Sequence, residues 1–241
     1  MNAVVIIMAR GGSKRLPRKN VLPFCGRPLI HWSIMAAKES KLAREVFVTT
    51  DDDEIAEVSG EEGATIIRRD WVSPDDEPGT YPVVKALDWI EANREWKTDV
   101  LLTMLPTGPC RAREHVDAGI AEEWKSKWWY TLWGYAPQET WIQQKLSIGG
   151  MATIFLDKEG RYVSWVGHDA VTFPENARAW NEKTLKTGDL RLNFDVCGHV
   201  PIKLWECHDA DTEDQFEASE YWFKRKMIDV YGQRPYGEKD A

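Results

Sequence analysis

Long apolar runs are missing from these 241 residues: no stretch approaches the roughly 20 residues that a membrane span requires. The apolar run at residues 3–8 is also too short for the core of a secretory leader. An excess of positive charge is missing too. With 31 Lys and Arg against 39 Asp and Glu, the formal charge is −8. That balance excludes a general nucleic-acid binder, because affinity for a phosphate backbone needs a broad cationic surface. The four cysteines, Cys25, Cys110, Cys197 and Cys207, include no CxxC pair. They suit a reducing, cytoplasmic compartment and small buried hydrophobic roles better than a disulfide framework. Neither GxxxxGK[ST] nor GxGxxG occurs, which excludes P-loop kinases and ordinary dinucleotide-dependent dehydrogenases. His31, His115, His168, His199 and His208 show no HxxxH or HExxH spacing, so structural or surface roles are expected of them. No repeat and no low-complexity segment is present.

What remains is an ordinary globular composition, 43% hydrophobic and 29% charged, long enough for one sizeable α/β domain. Val4 to Met8 is a β-branched apolar run that reads as a buried parallel strand. Pro28 to Ser40 places Leu29, Trp32, Met35 and Ala36 on one helical face. The alternation continues with a strand at Val46 to Thr49, a helix at Asp53 to Glu62 and a strand at Ala64 to Ile67. A helix at Val83 to Asn93, a strand at Val100 to Leu105 and a helix at Glu114 to Trp124 follow. Such alternation predicts a mainly parallel sheet flanked by helices, with ligands beyond the carboxyl ends of the strands. The loops after Met8, Thr49 and Leu105 are therefore expected to face one cleft. From about residue 128 to 180 the pattern breaks, with β-like pieces at Ala152 to Leu156 and Arg161 to Val166. Of 13 tryptophans, seven fall between Trp124 and Trp180, so this stretch reads as an insertion within a single domain. Strand-like Asn193 to Val196 and Ile202 to Trp205 precede an amphipathic helix over Glu213 to Val230.

The densest feature follows the first strand directly: Ala9-Arg10-Gly11-Gly12-Ser13-Lys14-Arg15-Leu16-Pro17-Arg18-Lys19-Asn20. Five basic side chains, two glycines and a serine share twelve residues of an acidic protein. Glycines allow backbone N–H groups to approach an anion closely, and Arg binds phosphate oxygens in pairs. Such a loop suits a polyphosphate.

These residues are similar to the ARGGSKRxPxKN loop of the cytidylyltransferases that activate acidic sugars, the CMP-sialic acid synthetases and, more distantly, the CMP-Kdo synthetases. The likeness extends through Pro28-Leu29-Ile30, Thr49-Thr50-Asp51-Asp52, Ala64 to Arg69, Leu105-Pro106-Thr107-Gly108-Pro109-Cys110-Arg111, Arg191-Leu192-Asn193 and Asp209-Ala210-Asp211-Thr212-Glu213, in family order. The resemblance implies a Rossmann-like nucleotide-diphospho-sugar transferase fold with a small β-rich dimerisation insertion. It also implies a magnesium-dependent enzyme that transfers CMP from CTP to an acidic sugar and acts as a homodimer. Arg10, Ser13 and Lys19 would grip the phosphates, with Ala9, Gly11 and Gly12 supplying backbone. Asn20 would orient the nucleotide, Arg69 would sit near base and ribose, and Lys14, Arg15 and Arg18 would add field. Leu105, Arg191 and Asn193 fall on the acceptor side, with His168-Asp169 a further candidate.

In the family the late DxDT segment holds magnesium. Alternate positions of an extended segment point the same way, so Asp209 and Asp211 suit one hard cation. The other reading of this segment is a cap for the final helix, and the two are compatible. The run Asp51-Asp52-Asp53 reads as a cap for the second helix. Leucine at 105 replaces a family Gln, Phe194-Asp195 replaces a small Gly-Ala pair, and Asp76 to Thr80 replaces a Ser/Thr-rich stretch that contacts cytosine in relatives. These departures predict an acceptor other than N-acetylneuraminate. Nucleotidyl transfer to a non-sugar anion such as a phosphonate, or nucleotide binding without catalysis, are the rival readings.

Overall fold

The computed structural model describes residues 1–69, 80–126, 130–135, 154–156, 162–187 and 197–228. Its centre is β1 (Ala3–Met8), whose residues from Ala3 to Ile7 are all fully buried. Both faces of this strand are covered, which is why its sequence is a continuous apolar run with no alternation. Ala3, Val5 and Ile7 point into one cluster with Ile30, Ile34, Val116 and Ile120, while Val4 and Ile6 point into another with Val83, Ala86 and Ile90.

After β1 the chain forms a loop, a 3-10 turn at Lys19–Val21 and a small antiparallel ribbon, β2 (Pro23–Phe24) with β3 (Arg27–Pro28). The ribbon turns at Cys25 and Gly26, both with positive φ, and glycine accepts that conformation without a steric penalty. Helix α1 (Leu29–Lys38) leads to β4 (Ala43–Thr50), α2 (Asp53–Glu61) and β5 (Thr65–Arg68). Helix α3 (Thr80–Asn93) then crosses to the other side of β1, where β6 (Val100–Met104) pairs. Helix α4 (Arg113–Ser126), β7 (Tyr130–Tyr135), β8 (Ile154–Leu156), β9 (Tyr162–Thr172), α5 (Pro174–Thr187), β10 (Cys197–Pro201) and α6 (Glu213–Trp222) complete the described elements.

The sheet runs β10-β7-β9-β6-β1-β4-β5, with β8 on β9. Strands β5, β4, β1 and β6 are parallel neighbours, and β9 runs antiparallel between β6 and β7. Met8 lies beside Thr49, Ile7 beside Met104 and Thr50 beside Arg68. Four strands therefore end in one row, and the order reverses between β1 and β6, the position at which such sheets bind ligands.

The expected alternation is present, with boundaries shifted by a few residues. Three details differ. Eight of the ten residues of α1 are buried, including His31 and Ser33, because the helix is enclosed on several sides, and Met35 stays half-exposed. The stripe read from the sequence was too narrow. Ile202 to Trp205 is not a strand: β10 ends at Pro201, and a 3-10 turn at Leu204–Cys207 follows, with Lys203 N donating to Glu206 at 2.6 Å. The last helix is α6 followed by a wider turn at Phe223–Ile228, not one uninterrupted helix. From the stretch read as an insertion, β7 and β9 pair within the main sheet between β6 and β10. Asn193 to Val196 lie outside the described residues. Cys25 and Cys110 are buried thiols and not disulfides; burial pushes the Cys25 thiol up to about 12.

Candidate active site at the carboxyl ends of the parallel strands

The glycine loop leaves β1 through buried Ala9, whose N–H continues the ladder to the Thr49 carbonyl at 3.1 Å. Gly11 N–H donates to Asp51 Oδ1 at 2.9 Å, and Ser13 N–H donates to the Gly11 carbonyl at 3.0 Å. Arg10 and Gly12 are exposed. Arg18 has φ +60°, a left-handed conformation that is uncommon for a residue other than glycine. Lys19 then opens the 3-10 turn. Asn20, buried beneath it, donates from Nδ2 to the Arg10 carbonyl at 3.0 Å and so ties the end of the loop to its start. Residues 10–20 are thereby closed on themselves.

Arg69, just past β5, is drawn under this loop. Its Nη2 donates to the Ala9 carbonyl at 3.0 Å and to the Thr49 carbonyl at 2.8 Å, and burial lowers its pKa from the usual arginine value. The guanidinium thus fixes the place where the loop departs from β1.

On the opposite wall, the segment Asp209-Ala210-Asp211 is held by its middle residue. Ala210 is fully buried among Phe24, Trp32, Cys110 and Phe223, and its N–H donates to the Thr107 carbonyl at 2.6 Å. The Asp211 N–H donates back to the Asp209 carbonyl at 3.0 Å, so the segment turns tightly at Ala210. Asp211 places one carboxylate oxygen on Lys19 Nζ and the other on the Arg15 guanidinium. The Lys19 and Asp211 side chains are only 15% and 13% exposed, whereas Arg15 is 67% exposed. The Lys19 pair is the better shielded contact. Asp209 lies in the field of Arg111, a half-buried residue whose guanidinium donates to the Gly108 carbonyl at 2.5 Å and to the Leu105 carbonyl at 2.6 Å. Burial pulls the Arg111 pKa down to about 10, which leaves it charged at neutral pH. A Cβ at Gly108 would collide with this guanidinium.

Capping does not consume the aspartates. Thr212 is the N-cap of α6, in a reciprocal box with Gln215: Gln215 N–H donates to Thr212 Oγ1 at 3.4 Å and Thr212 N–H to Gln215 Oε1 at 3.0 Å. The cap of α2 is Asp52, which accepts from Ile55 N–H at 3.0 Å, as the sequence predicted. Among the described residues no group of three or more His, Cys, Asp or Glu could by itself cage a metal. Asp211, which faces the cationic loop, and Asp209 two residues before it are hard oxygen donors; they fit a divalent cation that completes its shell with phosphate oxygens and water, and do not fit a soft or tightly caged one.

The structure therefore brings together Ala9, Arg10, Gly11, Gly12, Ser13, Lys19, Asn20 and Arg69 at the row of strand ends, with Asp211 across from Lys19 and Asp209 in the same segment. Leu105 sits at the end of β6, its carbonyl serving Arg111. Arg191, Asn193 and residues 76–79 lie outside the described residues, as does the side chain of His168. The other described histidines have structural surroundings: His31 Nδ1 is 2.8 Å from Glu62, His115 Nδ1 accepts from Ala112 N–H at 2.9 Å, and His208 stacks on Trp222. The sequence reading assigned no specific contact to Arg15, Arg18 or Arg111, and gave Asp52 only the capping role. A signal was available for Asp52, which follows a strand that ends beside a cationic loop.

The sequence model of the cytidylyltransferase family matches residues 4–121. A pseudaminic acid cytidylyltransferase of Campylobacter jejuni is 40% identical over 97 residues, 39% of this chain and 42% of that protein. A CMP-N,N'-diacetyllegionaminic acid synthase of Legionella pneumophila is 35% identical over 118 residues, 48% of this chain and 50% of that protein. The matches thus span about half or less of these curated relatives. Across nearly the whole chain, 93% of it and 99% of the other, the fold matches that of a CMP:2-keto-3-deoxy-manno-octonic acid synthetase complexed with CTP, with TM-score 0.68 and 18% identity. At that identity the likeness concerns the fold.

Proposed function

We infer, from the cytidylyltransferase family's match to residues 4–121, that this protein transfers CMP from CTP to an acidic sugar and releases pyrophosphate. One observation carries the reading: Lys19 of the glycine loop and Asp211 of the late segment meet at the carboxyl ends of the parallel strands. The glycine loop, with its Arg10, Ser13 and Lys19, cradles the triphosphate. The anomeric hydroxyl of the sugar attacks the α-phosphorus in line, the bond to the β-phosphate oxygen breaks, and the products are the CMP-sugar, pyrophosphate and a proton. Catalysis consists of positioning and charge stabilisation, with Lys19 as the least exposed loop cation beside the charge that develops.

Asp209 and Asp211 would hold a magnesium ion, which when bound neutralises phosphate charge. Nucleotide phosphates satisfy Lys19 and Arg15 in place of Asp211, so its carboxylate becomes available to the cation. The acceptor belongs to the nonulosonate class. Leu105, where a family glutamine would hydrogen-bond the sugar, favours one other than N-acetylneuraminate; pseudaminic, legionaminic and N-acylneuraminate enzymes all stand among the relatives. The same reading includes a cytoplasmic homodimer in which the tryptophan-dense stretch at about 128–180 meets the neighbouring subunit. No helix among the described residues is long and apolar enough to cross a membrane.

The test is pyrophosphate release with CTP, magnesium and a panel of pseudaminic, legionaminic, N-acetylneuraminic and Kdo acids, repeated with the other nucleoside triphosphates. Release that requires CTP and is fastest with pseudaminic or legionaminic acid is the expected result. Silence with every acceptor, or faster release from another nucleotide, overturns it.

A further inference from the structure

We propose that Asp51 and Asp52 are positioning residues that hold the glycine loop in shape, and that Arg18 serves as their internal counter-ion and not as a ligand of the nucleotide. The proposal rests on the reading that the loop binds a polyphosphate.

The two aspartates hold opposite ends of the loop. Asp51 accepts the Gly11 N–H at 2.9 Å, next to the start of the loop. Asp52 pairs both carboxylate oxygens with the Arg18 guanidinium, near the end of the loop, and Glu54 takes a further contact from Arg18. Asp52 is itself immobilised, since its Oδ1 caps α2 and its N–H donates to Thr50 Oγ1 at 3.1 Å. The rigid end of β4 and the first turn of α2 thus form an anvil against which both ends of the loop are fixed. Gly11 sits so close to this anvil that a Cβ would collide with the Asp52 carboxylate.

Two further observations separate Arg18 from the other loop cations. Its backbone is left-handed, a conformation that is unfavourable for a residue with a side chain. The bidentate pair with Asp52 offsets that cost and aims the next residue, Lys19, across the cleft at Asp211. Arg18 also faces two carboxylates, so the local charge of this group is net negative. A phosphate at Arg18 would meet Asp52 and Glu54, and like charges at that range repel. Lys19 instead meets its carboxylate, Asp211, on the opposite wall.

The experiment is a double-mutant cycle of Arg18→Ala, Asp52→Asn and both together. Asparagine retains the capping oxygen of α2 while losing the charge. Pyrophosphate release gives kcat and KM for CTP, calorimetry gives binding of inorganic tripolyphosphate, and thermal melts report folding. Each single variant is expected to lower kcat at least about tenfold, through a misdirected Lys19, with KM changed less. The double variant is expected to be no worse than the poorer single one. Losses that multiply in the double variant overturn the proposal, because Arg18 then acts independently of Asp52. A lowered melting temperature with unchanged kcat also overturns it, since the contact is then structural only. Wild-type protein that neither binds tripolyphosphate nor consumes CTP overturns the functional reading beneath it and the proposal together.

Discussion

The ammonium of Lys19 and the carboxylate of Asp211, 192 residues apart in the chain, form a shielded ion pair across the cleft. Each partner is placed by neighbouring main chain. Lys19 follows a left-handed Arg18 clamped to α2, and Asp211 follows an Ala210 buried in the cluster under the loop. The pair therefore ties the first loop of the fold to the start of its last described helix. It also puts an anion where the proposed reaction places phosphate.

Replacing Lys19 by Ala, or Asp209 by Asn, is expected to lower turnover by more than about a hundredfold while leaving the circular dichroism spectrum unchanged, because each removes charge stabilisation from a preorganised site. Chelation of divalent cations is expected to abolish pyrophosphate release, with recovery on adding magnesium, and Asp209→Asn should need more magnesium for half-maximal rate. Near-wild-type rates in either variant remove the assigned roles.

Gly11→Ala tests the tight contact beneath the loop. The added methyl meets a carboxylate that cannot retreat, since Asp52 is held by Arg18 and by the cap of α2. Overpacking of this kind costs about 1–3 kcal/mol, and CTP affinity by calorimetry is expected to fall at least about tenfold. Gly12→Ala, where a Cβ meets nothing within 4 Å, should leave the thermal midpoint unmoved. Equal midpoints and equal CTP affinity for Gly11→Ala and wild type would show that the loop is looser than the contact requires.

His31 supplies a pH dependence remote from the cleft. Burial holds its pKa below the ordinary value, outweighing the opposite pull of Glu62. As pH falls through about 6.5 the unfolded chain takes the proton first, so stability declines until the lowered folded-state value is reached. Urea midpoints should drop between about pH 7.5 and about pH 5.5, and His31→Gln should flatten part of that decline. A slope unchanged in the variant would assign the decline to other groups.

Much of the fold was legible because its signals are local. The apolar run of β1, the strand-helix alternation from α1 to α4 and the Asp52 cap each arise within short spans of chain, and the structure contains them with small shifts. The loop after β1 stood out by composition alone, with five basic side chains and two glycines in twelve residues. What was misread depended on surroundings. Met35 was placed on the core face, yet it stays half-exposed while His31 and Ser33 are buried, because a helix enclosed on several sides has no narrow stripe. Ile202 to Trp205 looked extended, but Pro201 ends the strand and the Glu206 carboxylate accepts the Lys203 N–H, closing a short turn instead. Arg18 was expected only to add field, and its contacts with Asp52 and Glu54 were not foreseen because those carboxylates come from another strand-helix junction.

The sequence by itself determined that a glycine-rich cationic loop would follow a buried parallel strand, since periodicity and composition act over short spans of chain. Only the tertiary structure decided which cation faces which carboxylate. Ion pairing depends on separations of a few ångströms, and those exist only once β4, β6 and the segment before α6 have closed around the end of β1.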